Sequence, residues 1–101
     1  MNEAYGIAAT NISVTTTIAS DKCWFWGLFL ETNGTNNVTA TANDGASGTR
    51  KLRVTCVGAD LCYGAILPKP IRMMVGLEIV VSGTGALVDV LWEPWTGYSR
   101  T

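Results

Sequence analysis

The sequence predicts an all-β protein, a single-domain antiparallel β-sandwich of about eight short strands. Three observations lead to this prediction. Apolar residues recur at every second position through most of the chain, as in strands that bury one face. Glycine-, Asn- and Asp-containing turns interrupt this alternation about every eight to twelve residues. No segment repeats its apolar residues with the period of an α-helix.

The first part of the chain is predicted to form an arm and one strand. Residues 1–10 show no periodicity, so we expect an extended N-terminal arm that becomes ordered only when a partner holds it. Residues 11–18 alternate, and their run of threonines favours a strand because β-branched side chains suit the pleat. Ser20-Asp21 is a short turn.

Residues 23–31 form an apolar strand with large side chains on both faces. Such a strand is either central and covered on both sides, or it offers one face to another subunit. Gly27 in its middle indicates a bulge or a close approach of another backbone. Asn33-Gly34 then predicts a type I′ hairpin turn, since both residues accept positive φ angles.

The middle of the chain is predicted to contain two strands around a polar glycine loop. Residues 38–42 and 52–56 place their apolar side chains on one face, and residues 43–49 form the loop between them. Two further short strands, residues 61–66 and 71–75, follow. Leu67-Pro68-Lys69-Pro70 is predicted to separate them, because proline cannot donate a hydrogen bond within a sheet.

The last third predicts a closing hairpin. Leu77, Ile79 and Val81 share one face, residues 83–85 form a glycine turn, and residues 88–92 alternate again, with Asp89 and Glu93 on the opposite face. The domain therefore spans residues 11–93, and residues 94–101 form an aromatic tail. Eight strands favour a jelly roll over other sandwiches and small barrels.

The composition indicates a surface with little charge. The chain has 101 residues, of which 48% are hydrophobic and only 15% are charged, and its net charge is −1. The usual charged share is about a quarter. A weakly charged surface suits assembly, because little repulsion between like charges opposes it. No global field attracts nucleic acid or an anionic membrane, so we expect neither as a partner.

The one basic cluster, residues 50–53, has two interpretations. Lys51 and Arg53 share a strand face, which favours a solvated surface over a contact with phosphate or an acidic partner.

The sequence offers no conventional active site, and we expect a non-enzymatic protein without cofactor or metal. It contains no histidine, which removes Ser-His-Asp and Cys-His pairs and the commonest metal ligand. Asp44 and Asp60 lie in glycine-rich loops, where Asp typically stabilises its own turn.

The three cysteines, Cys23, Cys56 and Cys62, are predicted to be free thiols. Their odd number and the lack of a signal peptide argue against a disulfide framework and indicate synthesis in a cytoplasm. Cys56 and Cys62 could lie close together, but two thiolates without a third ligand make a poor zinc site.

The aromatic residues are the candidates for binding. Trp24, Phe25, Trp26 and Phe29 place rings on both faces of one strand. One face must be core, and the other is core, a subunit interface or a sugar platform; we favour core plus interface. Trp95 and Tyr98 follow the last strand and either fold back on the domain or meet a partner.

Four motifs resemble those of small β-rich virion proteins of tailed phages. They are Trp-Gly-Leu-Phe-Leu-Glu-Thr-Asn-Gly at residues 26–34, Asp-Gly-x-Ser-Gly-Thr at 44–49, a proline-containing stretch at 66–71, and Gly-Leu-x-hydrophobic-Val-x-Ser-Gly-Thr within 76–85. Together they span about residues 24–93.

The resemblance implies a capsid decoration (cement) protein, made in the host cytoplasm and incorporated into the virion. It implies a homo-oligomer, with a trimer favoured, that binds the major capsid protein or other virion subunits and clamps its neighbours with its termini. The alternative is a tail or head-fibre component with a carbohydrate-binding sandwich, in which tryptophans or Tyr98 stack on sugar. The candidate interface residues are Tyr5, Ile7, Trp24, Trp26, Trp95, Tyr98 and Arg100.

Overall fold

Eight antiparallel strands form two four-stranded sheets in this computed structural model, which describes residues 8–95. In chain order the strands are β1 Ala8–Ile12, β2 Thr16–Ala19, β3 Cys23–Glu31, β4 Val38–Asp44, β5 Thr49–Cys56, β6 Cys62–Met73, β7 Leu77–Ser82 and β8 Leu87–Pro94. A 3₁₀ turn, Gly58–Asp60, precedes β6. The predicted all-β antiparallel sandwich is confirmed.

The strand order is that of a jelly roll. Sheet 1 has the order β1-β8-β3-β6, and sheet 2 has the order β2-β7-β4-β5. The chain crosses to the other sheet after every strand except β4, which pairs directly with β5. Such crossing connections generate the two Greek keys of a jelly roll.

The inner faces of the two sheets form the core. β3 lies between β8 and β6 in sheet 1, which agrees with the first of the two alternatives in its central position, and contributes Phe25, Leu28 and Leu30. The predicted inward faces of β4 and β7 are confirmed. Sheet 2 contributes to the core the side chains of Val38, Ala40, Ala42, Val54, Leu77 and Ile79. Burying each large apolar side chain contributes about 1.5–3 kcal/mol, which makes these faces the main source of stability.

Residues 11–18 are two strands, contrary to the prediction of one. β1 ends at Ile12, and β2 begins at Thr16 in the other sheet. The alternation continues through the crossing, so the sequence pattern hides it. Thr15 fixes the crossing because its hydroxyl accepts a hydrogen bond from the Val81 N–H at 3.0 Å. β1 also includes Ala8–Thr10, which the sequence assigned to the arm, whereas residues 1–7 lie outside the described residues.

Neither predicted hairpin turn joins paired strands. Asn33-Gly34 lies between β3 and β4, and residues 83–85 lie between β7 and β8; each connection crosses between the sheets. Asn33 still organises a turn, since its Oδ1 accepts the N–H groups of Thr35 and Asn36, both at 2.9 Å. Turn residues determine a local reversal of the chain, but they do not determine which strand becomes the neighbour.

The proline segment interrupts the pairing of one continuous strand and does not separate two strands. The register between β3 and β6 moves from Gly27 opposite Ile66 to Phe25 opposite Ile71, so residues 67–70 bulge out beside Trp26. β6 is an edge strand, where proline on the free side removes no hydrogen bond. The predicted bulge at Gly27 is confirmed by the same register shift.

Candidate functional site

Two tryptophans stack on the outer face of sheet 1, near the end of β8. The rings of Trp24 and Trp95 lie 5.0 Å apart between centroids, with 7° between their planes. The guanidinium of Arg72 lies 5.6 Å from the Trp24 ring and 5.5 Å from the Trp95 ring, close enough for cation–π attraction. Trp95 also donates its backbone N–H to the Lys22 carbonyl. Of the two alternatives for Trp95, folding back on the domain is therefore the one observed.

The same face buries a carboxylate. Glu93 is only 2% exposed, and its Oε1 accepts a hydrogen bond from Trp26 Nε1 at 3.3 Å. The sequence placed Glu93 on the face away from the core, and that assignment is correct. Glu93 is nevertheless buried on a face rich in aromatic side chains, opposite Trp24 in the ladder. Trp24 Nε1 is buried without a hydrogen-bond partner among residues 8–95.

An exposed apolar patch covers the other half of this face. It consists of Phe29, Ile66 and Leu87, which are 39%, 58% and 44% exposed. The register places Phe29 opposite Gly64, and a Cβ on that glycine would lie 2.7 Å from the ring, so Phe29 lies flat against bare backbone. Ile66 lies two residues farther along β6 on the same face. We call these three side chains the apolar patch.

Acidic and amide side chains border the apolar patch. Leu87 is opposite Glu31, and Phe29 is opposite Asp89. The amide of Asn11 donates a hydrogen bond to the Asp89 carboxylate. The patch therefore has the composition of many protein interfaces, in which apolar groups are surrounded by polar ones.

The outer face of sheet 2 is polar and differs sharply from that of sheet 1. Thr39 and Thr41 of β4 are half-buried, and the hydroxyls of Thr39 and Thr55 are hydrogen-bonded at 3.0 Å. The edge strand β5 adds three exposed cations, Arg50, Lys51 and Arg53. Their exposure agrees with the solvated strand face expected from the sequence.

A cleft opens at the end of the sandwich beside the stacked tryptophans. Its volume is about 410 Å³, and it is lined by Ala19, Ser20, Asp21, Lys22, Trp92, Pro94 and Trp95. Asp21 Oδ1 accepts the Lys22 N–H at 2.7 Å, and Trp92 Nε1 donates to the Thr10 hydroxyl at 3.0 Å. The Lys22 ammonium lies 5.8 Å from the Trp95 ring.

Asp44 stabilises a neighbouring loop and not its own turn, which corrects the expectation from the sequence. Its carboxylate accepts the N–H groups of Met74, Val75 and Gly76 at 3.1, 2.8 and 3.3 Å. Partial burial tends to raise the pKa of Asp44. The three hydrogen bonds and the nearby Lys51 outweigh that tendency and hold the pKa below its usual value.

The cysteines are free thiols in three different places. Cys23 and Cys56 are buried, and Cys62 is exposed on β6. Burial raises the pKa of Cys23 to about 12, with the Asp44 and Asp21 carboxylates adding to the effect. Within residues 8–95, no three His, Cys, Asp or Glu side chains are arranged to hold a metal ion.

The structure brings together three of the seven interface candidates. Trp24, Trp26 and Trp95 all contribute to the aromatic outer face of sheet 1. Trp24 has no exposed surface, so it is neither an interface contact nor a sugar platform in this conformation. The other four candidates, Tyr5, Ile7, Tyr98 and Arg100, lie outside the described residues.

The sequence reasoning missed Ile66, Leu87 and the cleft. The exposure of Leu87 could have been predicted. The alternation of β8 places it on the face opposite Val88 and Val90, which is the solvent face, although Leu87 is apolar. Predicting the position of Ile66 requires the register of β6 against β3, and predicting the cleft requires knowing that the end of β2 lies beside β8. Neither can be derived from the local sequence pattern.

Comparisons with protein-family models, with curated proteins and with solved structures give no match. In the part of the chain that the structure describes, no helix is long and apolar enough to cross a bilayer.

Proposed function

We propose that this chain is a non-enzymatic structural protein of a phage virion, a decoration (cement) protein that binds the head through protein–protein contacts. The observation that carries the proposal is the apolar patch of Phe29, Ile66 and Leu87 on one outer face of a rigid sandwich. The register places Ile66 and Leu87 diagonally next to Phe29 on the two neighbouring strands, and a cluster of exposed apolar side chains on one face is typical of a surface that meets a partner. Scattered single apolar residues would need no such explanation.

The asymmetry of the two sheets supports this assignment. An ordinary solvated jelly roll would expose polar residues on both outer faces, as sheet 2 does with Thr55 and Arg53. Sheet 1 instead exposes aromatic and aliphatic groups. Jelly rolls occur in capsid proteins and in lectins, so the fold alone does not choose between these classes. The motifs at residues 26–34 and 76–85 favour the virion class by resemblance.

A trimer requires that two different surfaces of the chain meet, because a closed threefold ring has heterologous contacts. The chain offers a complementary pair. The apolar patch is bordered by the carboxylates of Glu31 and Asp89, and β5 exposes Arg50 and Arg53 on the other sheet. Attraction between these charges would orient the two surfaces toward each other.

Light scattering after size-exclusion chromatography tests self-association. We expect the wild-type protein to elute as a trimer at micromolar concentration. Ile66→Glu places a charge in the apolar patch and is expected to give a monomer with an unchanged far-UV spectrum. Val57→Glu is the matched control, because Val57 is 51% exposed but lies in the β5–β6 connection. Dissociation by both variants, or by neither, would contradict the role of the patch.

Cosedimentation with undecorated phage heads tests the virion role separately. Wild-type protein and Val57→Glu are expected to sediment with the heads to the same saturating ratio, and Ile66→Glu is expected to bind less. A protein that self-associates but does not sediment with any heads tested would argue for a tail or fibre location.

A further inference from the structure

We propose that the cleft between Ser20 and Trp95 binds one ring of an uncharged saccharide. This site is distinct from the apolar patch, and it does not depend on the proposed virion function. The cleft volume of about 410 Å³ lies at the lower end of the roughly 300–1,000 Å³ found for small-molecule sites. A site of that size accommodates one or two sugar rings and not an extended peptide.

The walls of the cleft match the two chemical faces of a sugar. Two tryptophans, Trp92 and Trp95, line it. Aromatic rings pack well against the C–H face of a pyranose, because both surfaces are flat and apolar. Ser20 and Asp21 line the same cleft, and a hydroxyl and a carboxylate can form hydrogen bonds with sugar hydroxyls.

The charges of the cleft favour a neutral ligand. Its ionisable side chains are one carboxylate, Asp21, and one ammonium, Lys22. Opposite charges of equal size leave little net attraction for a phosphate or a carboxylate ligand. One Asp21 oxygen is engaged by the Lys22 N–H, and the carboxylate keeps further acceptor capacity for a hydroxyl group.

Both tryptophans are held in place before any ligand arrives. Trp95 is stacked on Trp24, and its backbone N–H donates a hydrogen bond to the Lys22 carbonyl in the β2–β3 connection. Trp92 packs against the core and is fixed by its bond to Thr10. Prearranged rings lose little conformational freedom on binding, which is the property a weak-binding saccharide site requires. The exposed Lys22 side chain lies over Trp95 and can move aside at small cost.

Two-dimensional NMR of the full chain tests the proposal with methyl glucoside, methyl mannoside, methyl galactoside and N-acetylglucosamine. We expect at least one of them to shift the indole N–H signals of Trp92 and Trp95 at concentrations of about 1–20 mM. The Trp26 signal should not move, since Trp26 does not line the cleft and its indole N–H is hydrogen-bonded to Glu93. Inorganic phosphate is the anionic comparison and is expected to cause no shift.

Asp21→Asn is the decisive variant, because Asn keeps an acceptor for the Lys22 N–H but removes the charge. We expect the dissociation constant to rise about tenfold. Asp60→Asn, an exposed Asp at the opposite end of the sandwich, is the matched control and is expected to bind as the wild type does. Absence of binding by all four sugars, equal effects of the two variants, or tighter binding of phosphate would each overturn the proposal.

The two proposals fail separately. Ile66→Glu lies outside the cleft and is expected to bind sugar like the wild type while losing self-association. Loss of sugar binding in this monomeric variant would place the saccharide in a subunit interface and overturn the cleft assignment.

Discussion

Asp44 connects two loops that are about 30 residues apart in the chain, because one carboxylate accepts three consecutive backbone N–H groups. Those donors would otherwise face water at a bend that follows β6. Hydrogen bonds to an ionised group are stronger than neutral ones, which explains why a single side chain can hold the 74–76 loop.

Protonation of Asp44 is therefore expected to destabilise the fold. The folded-state pKa lies below the value of about 3.9 in an unfolded chain. The stabilisation is complete above the unfolded pKa and disappears as the pH falls through the folded pKa. Urea unfolding should show that the free energy of unfolding of the wild type is lower at pH 3 than at pH 7. This decrease should be smaller in Asp44→Asn. A pH dependence as steep in Asp44→Asn as in wild type would contradict this role, with Asp60→Asn as the control.

Only one thiol is expected to react in the folded protein. Burial raises the pKa of Cys23 and, with Asp60 and Cys62 nearby, also that of Cys56. Neither thiol forms a thiolate readily, and both are shielded from reagent. Titration with a chromogenic disulfide at pH 8 should modify Cys62 rapidly, and Cys62→Ser should abolish the fast phase. A fast phase that remains in Cys62→Ser would come from Cys23 or Cys56 and would show that the core opens more easily than the packing indicates.

At the scale of the element, β3 owes its shape to Gly27. The residue has φ of +145°, and a Cβ there would lie 2.3 Å from the Ala65 carbonyl oxygen. The bulge lets β3 pair with both neighbours although four residues of β6 lie opposite Trp26.

Gly27→Ala is expected to destabilise the protein by about 2–3 kcal/mol, through backbone strain and the clash with β6. Gly34→Ala is the matched control. Gly34 also has a positive φ, +91°, but its nearest neighbour would be a Leu61 methyl at 3.6 Å. We expect a cost there of only about 1 kcal/mol. Chemical denaturation measures both, and equal costs would mean that the close approach to Ala65 is unimportant.

The elements were predictable from the sequence where the signal is local. Alternation identified the inward faces of β4 and β7, and the two-faced apolar run indicated that β3 is either a central strand or one that offers a face to another subunit. The neighbours of each strand were not predictable, because Asn33-Gly34 reverses the chain equally well within a sheet or between sheets. The same limit applies to the candidate site. Aromatic residues pointed to Trp26 and Trp95, but the apolar patch depends on the pairing of β3 with β6.

At the scale of the whole molecule, most pairings join distant parts of the chain. β1 pairs with β8, and β2 pairs with β7. Within residues 8–95, only β4 and β5 form a sheet ladder between consecutive strands. Folding is slow because the chain loses conformational entropy in closing long loops before the stabilising contacts between distant strands can form.

Refolding is therefore expected to take about 1 ms to 1 s, the range of β-sandwiches with non-local contacts. Stopped-flow tryptophan fluorescence measures it directly. Microsecond refolding would contradict this view of the topology.

The position of β8 between β1 and β3 has a consequence for synthesis. Among the strands that the structure describes, a ribosome makes β1 before the others, yet β8, which pairs with it, is made about 80 residues later. Until residue 94 has left the exit tunnel, β1 and β3 lack the strand that lies between them in sheet 1, β8. Unpaired strands of this kind attract other chains, and the emerging protein depends on chaperones or on fast completion to avoid aggregation.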